Sequence, residues 1–91
     1  MPKLTIPIIE RSRKYGYIYW SSKEDRKIED FLRNQETAQI VFQGANHGTK
    51  SIDYKNRRIS VGWKWTRSLP TSFENYVLTW KDSKTLKVIC R

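Results

Sequence analysis

Asn56-Arg57-Arg58-Ile59-Ser60-Val61, continued by Trp63 to Leu69, Tyr76-Val77-Leu78-Thr79-Trp80 and Leu86-Lys87-Val88-Ile89, has a divergent counterpart earlier in the chain. There Tyr15-Gly16-Tyr17-Ile18-Tyr19-Trp20 leads into a charged stretch ending Asp30-Phe31-Leu32-Arg33, then Thr37 to Phe42 and Lys50-Ser51-Ile52. Both runs read as strand, short helix, strand, turn, strand, which makes two β-α-β-β units. Setting Ile18 on Ile59 and Leu32 on Leu69 leaves the first unit longer by one helical turn, roughly four residues. The repeats span about 11–53 and 54–91. A chain of 91 residues is too short for two separate cores, so the units are expected to share one domain, 1–91. The expected fold is mainly β with two short helices: a small closed barrel built from two pseudo-symmetric β-α-β-β units.

Period-two alternation supplies the strands. From Arg13 to Trp20 it puts Lys14, Gly16, Ile18 and Trp20 on one side and Arg13, Tyr15, Tyr17 and Tyr19 on the other, predicting a basic, tyrosine-rich strand face. Gln39 to Phe42, the Gly/Asn-rich turn Gln43 to Thr49 and the return Lys50 to Tyr54 read as a hairpin. Tyr76 to Trp80, the turn Lys81 to Lys84 and Thr85 to Cys90 read as another. Leu4 to Ile9 is apolar, but Pro7 cannot donate to a ladder, which favours an edge strand or a bulge. The helix after Trp20 offers Ser21 or Ser22 as its cap and Ile28, Phe31 and Leu32 as its docking stripe. Its opposite charges, Arg26/Asp30, Arg26/Glu29 and Lys27/Asp30, fall at helical pairing distance, as on a solvated face. In the second helical stretch Trp63 and Trp65 face apart, which predicts one core and one exposed indole.

Eighteen basic residues against nine acidic give a formal charge of +9, alongside twelve aromatics. The charge is uneven. Arg11 to Asp53 holds eight basic and six acidic residues, net +2, and Tyr54 to Arg91 nine and two, net +7. A polyanionic partner follows, nucleic acid first. Lys55, Arg57, Arg58, Lys64 and Arg67 cluster around one strand and the turn before it, in a pattern suited to neutralising phosphates. Arg11, Arg13 and Lys14 add a second basic group, and Tyr15, Tyr17 and Tyr19 beside them are candidates for stacking unpaired bases.

Catalytic chemistry has little footing. His47, the single histidine, lies in a Gly-rich turn without a second ligand at metal spacing, and Cys90, the single cysteine, has no base beside it. No catalytic residue, metal or cofactor is expected. One cysteine excludes an intramolecular disulfide, and with no apolar run of signal or membrane length the expectation is a cytoplasmic protein without membrane contact.

Ile52 to Pro70 resembles the AbrB/MazE family of swapped-hairpin transcription factors and antitoxins. The family hallmark reads approximately Gly-Arg-Val-x-Ile-Pro-x-x-Leu-Arg-x-x-Leu-Gly before a strand hairpin. Arg58, Ile59, Val61, Trp65, Arg67 and Leu69 fall at or beside the corresponding positions without a gap. Arg57 stands where the family has its turn glycine, Gly62 replaces the proline and Pro70 the closing glycine. The resemblance covers about 40 residues, and the first unit only through Gly16, Ile18, Leu32 and the hairpin. It implies a barrel of two units in one chain that binds duplex DNA, with Arg58 and Arg67 as the residues carried over. Tyr17 occupies the first-unit position of Arg58, so that half would read DNA less well.

Three functions stay open on the sequence: a duplex-DNA-binding regulator or antitoxin-like protein, an RNA-binding or ribonucleoprotein accessory subunit, or a basic module acting on a nucleic-acid-binding protein. The partners to consider are duplex DNA first, RNA or single-stranded DNA second, and a protein third, for a monomer or a homodimer.

Overall fold

Ile18 and Ile59, the residues on which the two units align, lie directly opposite one another in an antiparallel strand pair, and both are fully buried. The computed structural model describes residues 3–67, 69–70 and 72–91, with Trp63 and Trp65 described by their backbone alone. The expectation that one of those two indoles is core therefore falls outside the described residues.

The elements run β1 (Leu4–Pro7), α1 (Glu10–Tyr15), β2 (Tyr17–Tyr19), a 3-10 turn (Ser22–Glu24), α2 (Asp25–Leu32), β3 (Thr37–Phe42) and β4 (Ala45–Asp53). They continue β5 (Arg58–Ser60), α3 (Trp63–Arg67), β6 (Asn75–Trp80) and β7 (Thr85–Cys90). The order β2-α2-β3-β4 recurs as β5-α3-β6-β7, and the first helix is the longer. The seven strands form one sheet in the order β1-β6-β7-β3-β4-β5-β2, curled into a nearly closed, mainly β barrel. The hairpins β3–β4 and β6–β7 correspond, and the equivalent strands β2 and β5 pair with each other. The remaining pairings are unequal. β3 runs parallel to β7, placing Ile40 against Leu86, whereas β6 pairs with β1.

The core follows the alternation. Ile40, Phe42, Tyr76, Leu78, Leu86 and Val88 point inward along their strands and are almost fully buried. Each large apolar side chain so placed contributes about 1.5–3 kcal/mol. Helix α2 docks through Ile28 and Leu32, with Phe31 stacked 6.2 Å from Trp80, whose indole N–H donates to the Phe31 carbonyl at 2.7 Å. Neither Ser21 nor Glu24, the residues before the 3-10 turn and α2, caps through its side chain. β1 is the edge strand that Pro7 suggested. Because the Ile8 N–H bonds to Glu74, the even residues of β1 face β6, and the missing N–H of Pro7 falls on the open edge.

Two local expectations are corrected. The alternation from Arg13 to Trp20 is not one strand: Glu10 to Tyr15 form α1, ended by Gly16 in the left-handed conformation at φ 77°. Glu10 in the first turn and Arg13 and Lys14 in the last complement the helix dipole. The turn after β3 is also tighter than Gln43 to Thr49. Gln43 and Gly44, both at positive φ, close the hairpin alone, and β4 begins at Ala45. The register slips by one residue beyond Val41, where Gly48 takes φ 79° and its N–H bonds to the Asn46 side chain at 2.8 Å. His47 is thus a half-buried strand residue packed edge-on to Phe42 at 5.9 Å, with burial, and secondarily Lys50, lowering its pKa. No helix among the described residues is long and apolar enough to cross a membrane.

Candidate nucleic-acid interface

The short pair β2–β5 brings together residues that the sequence put in separate groups. On its outer side Tyr17 and Tyr19, two residues apart on β2, hold their rings 5.7 Å from each other at 57°. The Arg58 guanidinium, from β5, lies over the Tyr17 ring at 4.4 Å, and the Arg11 guanidinium, from α1, over the Tyr19 ring at 4.5 Å. The result is a row Arg11, Tyr19, Tyr17, Arg58. Each cation–π contact is worth about 0.5–1 kcal/mol when exposed. Its larger consequence is chemical: a ring face takes up none of a guanidinium's hydrogen-bond donors, which stay able to engage phosphate in two bonds.

The turn from β4 to β5 sets the end of this row. Asp53 accepts from the backbone N–H and side-chain amide of Asn56, at 3.1 and 2.7 Å. These bonds, more than Arg58 at 3.6 Å, hold its carboxyl below the ordinary range. Arg58 is therefore only loosely engaged by its carboxylate. Arg57 takes φ 54° at the position where the resembled family has glycine, and its carbonyl accepts the Trp20 N–H. Its Nε donates to both oxygens of Asp25, at 2.9 and 3.0 Å, and the Trp20 indole N–H donates to the same carboxylate at 3.0 Å. The Arg57 bond, opposed by a smaller desolvation, lowers the Asp25 pKa. Asp25, the first residue of α2, thus reaches across 32 residues to fix an arginine. Lys55 is exposed in the same turn.

Beyond the C-terminal end of β5, α1 and α3 pack together, and the Thr66 hydroxyl donates to the Arg13 carbonyl at 2.9 Å. Lys64 and Arg67 are exposed on α3, which starts two residues after β5 ends. Lys14 is exposed on α1, its ammonium 5.4 Å from the Tyr15 ring centre. Tyr15 ends α1, 53% exposed, and so is off the strand face expected for it.

Arg13 has another duty. Its guanidinium donates to the carbonyls of Leu69, Pro70 and Phe73, at 2.7, 3.0 and 3.0 Å, tying α1 to the segment before β6. Those bonds turn it away from a nucleic-acid role. Among the described residues no three His, Cys, Asp or Glu side chains gather as metal ligands. Burial pushes the Cys90 thiol up to about 11, against a weaker pull from Arg13, so it is a poor nucleophile. No protein-family model, no curated protein and no solved structure matches this chain.

Proposed function

We propose that the protein binds nucleic acid, duplex DNA by preference, as a regulator or antitoxin-like protein without catalytic activity. The observation that carries this reading is the row Arg11, Tyr19, Tyr17, Arg58. It sets one guanidinium from α1 and one from β5 over the rings of β2, with Lys55 and Arg57 in the turn that leads into β5 and the basic helix α3 after it. Such donors suit contact with a phosphate backbone.

The same row argues for duplex over single strands. Stacking of unpaired bases needs open ring faces. Tyr17 and Tyr19 are tilted against each other, each has an arginine over one face, and Tyr19 is only 8% exposed. Kinship with the AbrB/MazE family belongs to the proposal. The repeated β-α-β-β order and the left-handed backbone of Arg57 at the family's glycine position favour it. The half expected to read less well, that of Tyr17, acts here as the seat of Arg58.

The test is a salt titration of the Arg11→Ala/Arg58→Ala double variant against duplex DNA. Two lost phosphate contacts reduce the slope of log K against log salt by about 1.8, from about 0.9 for each contact. An unchanged slope and affinity would remove the ribbon from the interface.

A further inference from the structure

β1 and β2 are the two unpaired edges of the sheet, and the barrel opens there into a cleft of about 620 Å3. That volume is typical of small-ligand sites. β1 lines it through Ile6 and Pro7, and the stretch Tyr19 to Ser22 lines it from the β2 end. Its charged lining is Arg11, Lys55 and Arg57 with one carboxylate, Glu24, while Asp25 acts on it through Arg57.

Two properties of this lining point to a ligand. First, the arginines are held yet have donors to spare. Arg57 uses Nε on Asp25 and the Arg11 guanidinium sits over the Tyr19 ring, and the Nη groups of Arg57 and the N–H groups of Arg11 make no hydrogen bond among the described residues. Second, exposed apolar surface adjoins them: Ile9, 41% exposed, and Pro7 line the same cleft. Guanidinium forks beside an apolar wall match a molecule with an anionic group and a flat apolar group. An added peptide strand fits less well, because β1 has four residues and Pro7 removes a donor from its open edge.

We propose that the seam cleft binds a nucleoside 5′-monophosphate unit, free or at the 5′ end of a strand. The phosphate accepts from Arg11 and Arg57 with Lys55 adding charge, the base lies against Ile9 and Pro7, and Glu24 accepts from ribose hydroxyls. The cleft overlaps the surface proposed for duplex binding, sharing Arg11, Tyr19 and the Lys55–Arg57 turn with it.

Isothermal titration calorimetry of the full chain at low salt tests it, with adenosine 5′-monophosphate, adenosine, inorganic phosphate, and a short single strand with and without a 5′-phosphate. The nucleotide should bind at least about tenfold tighter than adenosine or phosphate alone, the step expected when either half of the recognition is lost. Arg11→Ala and Lys55→Ala should each weaken it severalfold. Lys87→Ala, which removes one charge from the exposed side of β7, should not. A gain on 5′-phosphorylation of the strand identifies a strand end as ligand; nucleotide binding without that gain identifies the free nucleotide. Phosphate or adenosine binding as tightly as the nucleotide, equal loss in Lys87→Ala, or no nucleotide binding would overturn the proposal. Duplex binding measured on the same sample separates that failure from failure of the ribbon reading.

Discussion

Arg13→Ala should unfold this protein far more easily while leaving its interface intact. Three carbonyls, of Leu69, Pro70 and Phe73, accept from this one guanidinium, two of them at partly buried positions. A hydrogen bond from a charged donor contributes about 1.5–3 kcal/mol net, but three sharing one side chain are not additive and the exposed one is discounted. The expected loss is about 2–4 kcal/mol, or roughly 8–32 °C in Tm at about 4–8 °C per kcal/mol for a chain of this size. Arg13→Lys should fall between, since an ammonium lacks the planar fork that spans three acceptors. Arg11→Ala is the control: exposed and held by one cation–π contact, it should cost about 1 kcal/mol or less. Thermal and urea unfolding followed by near-ultraviolet circular dichroism gives both values. Below its melting range Arg13→Ala should bind duplex DNA within about threefold of the parent, as befits one distant charge. A Tm within about 3 °C of the parent, or an affinity loss matching that of Arg58→Ala, would refute the anchor role.

Arg57→Gly should be more stable than Arg57→Ala by about 0.5–1 kcal/mol in urea unfolding. Both lose the Asp25 pair, but only glycine relieves the left-handed backbone, less its greater freedom when unfolded. Cys90 should resist thiol-specific reagents at pH 8 in the folded protein and react once denatured, since burial raises its pKa to about 11. The Tyr54 hydroxyl, donating to the Gln35 carbonyl at 2.7 Å, is pushed up to about 12 mainly by burial. A raised pKa favours the neutral form in the folded state, so its contribution is complete below about pH 10 and fades as pH rises toward 12. Tyr54→Phe should accordingly lose less stability than the parent between pH 10 and 12. Asp25, with its pKa lowered, stabilises above its ordinary range near 4 and ceases to do so on acidification, so Asp25→Asn should flatten the acid limb of stability against pH.

Strands with strong alternation were legible, down to the bounds Thr85–Cys90, whereas the pairing of Ile18 with Ile59 was not, because their alignment as equivalent positions says nothing of contact. Ile28 and Leu32 at helical spacing likewise named the buried face of α2. Helix α1 was not legible because Glu10 to Tyr15 has no apolar stripe: its one buried side chain is Ser12, and Gly16 joins it to β2 in a way that imitates alternation. The signals that could have exposed it are Glu10 in a first turn, Arg13-Lys14 in a last, and glycine just after. β4 hid behind polar residues and a glycine bulge that resemble a long turn. At the interface the residue types were legible but their grouping was not. The row of Arg11, Tyr19, Tyr17 and Arg58 joins α1, β2 and β5, and the pairing of Asp25 with Arg57 spans the chain. Only the folded topology shows that Arg13 is spent on carbonyls while Arg11, two residues earlier, is not.

The most direct test is fluorescence anisotropy of the purified chain against labelled duplex DNA, single-stranded DNA and structured RNA, each titrated at several salt concentrations with unlabelled competitor. The account predicts the tightest binding to duplex DNA, with a slope of several phosphate contacts. Preference for single strands or RNA, or weak binding to all three that salt erases equally, would contradict it.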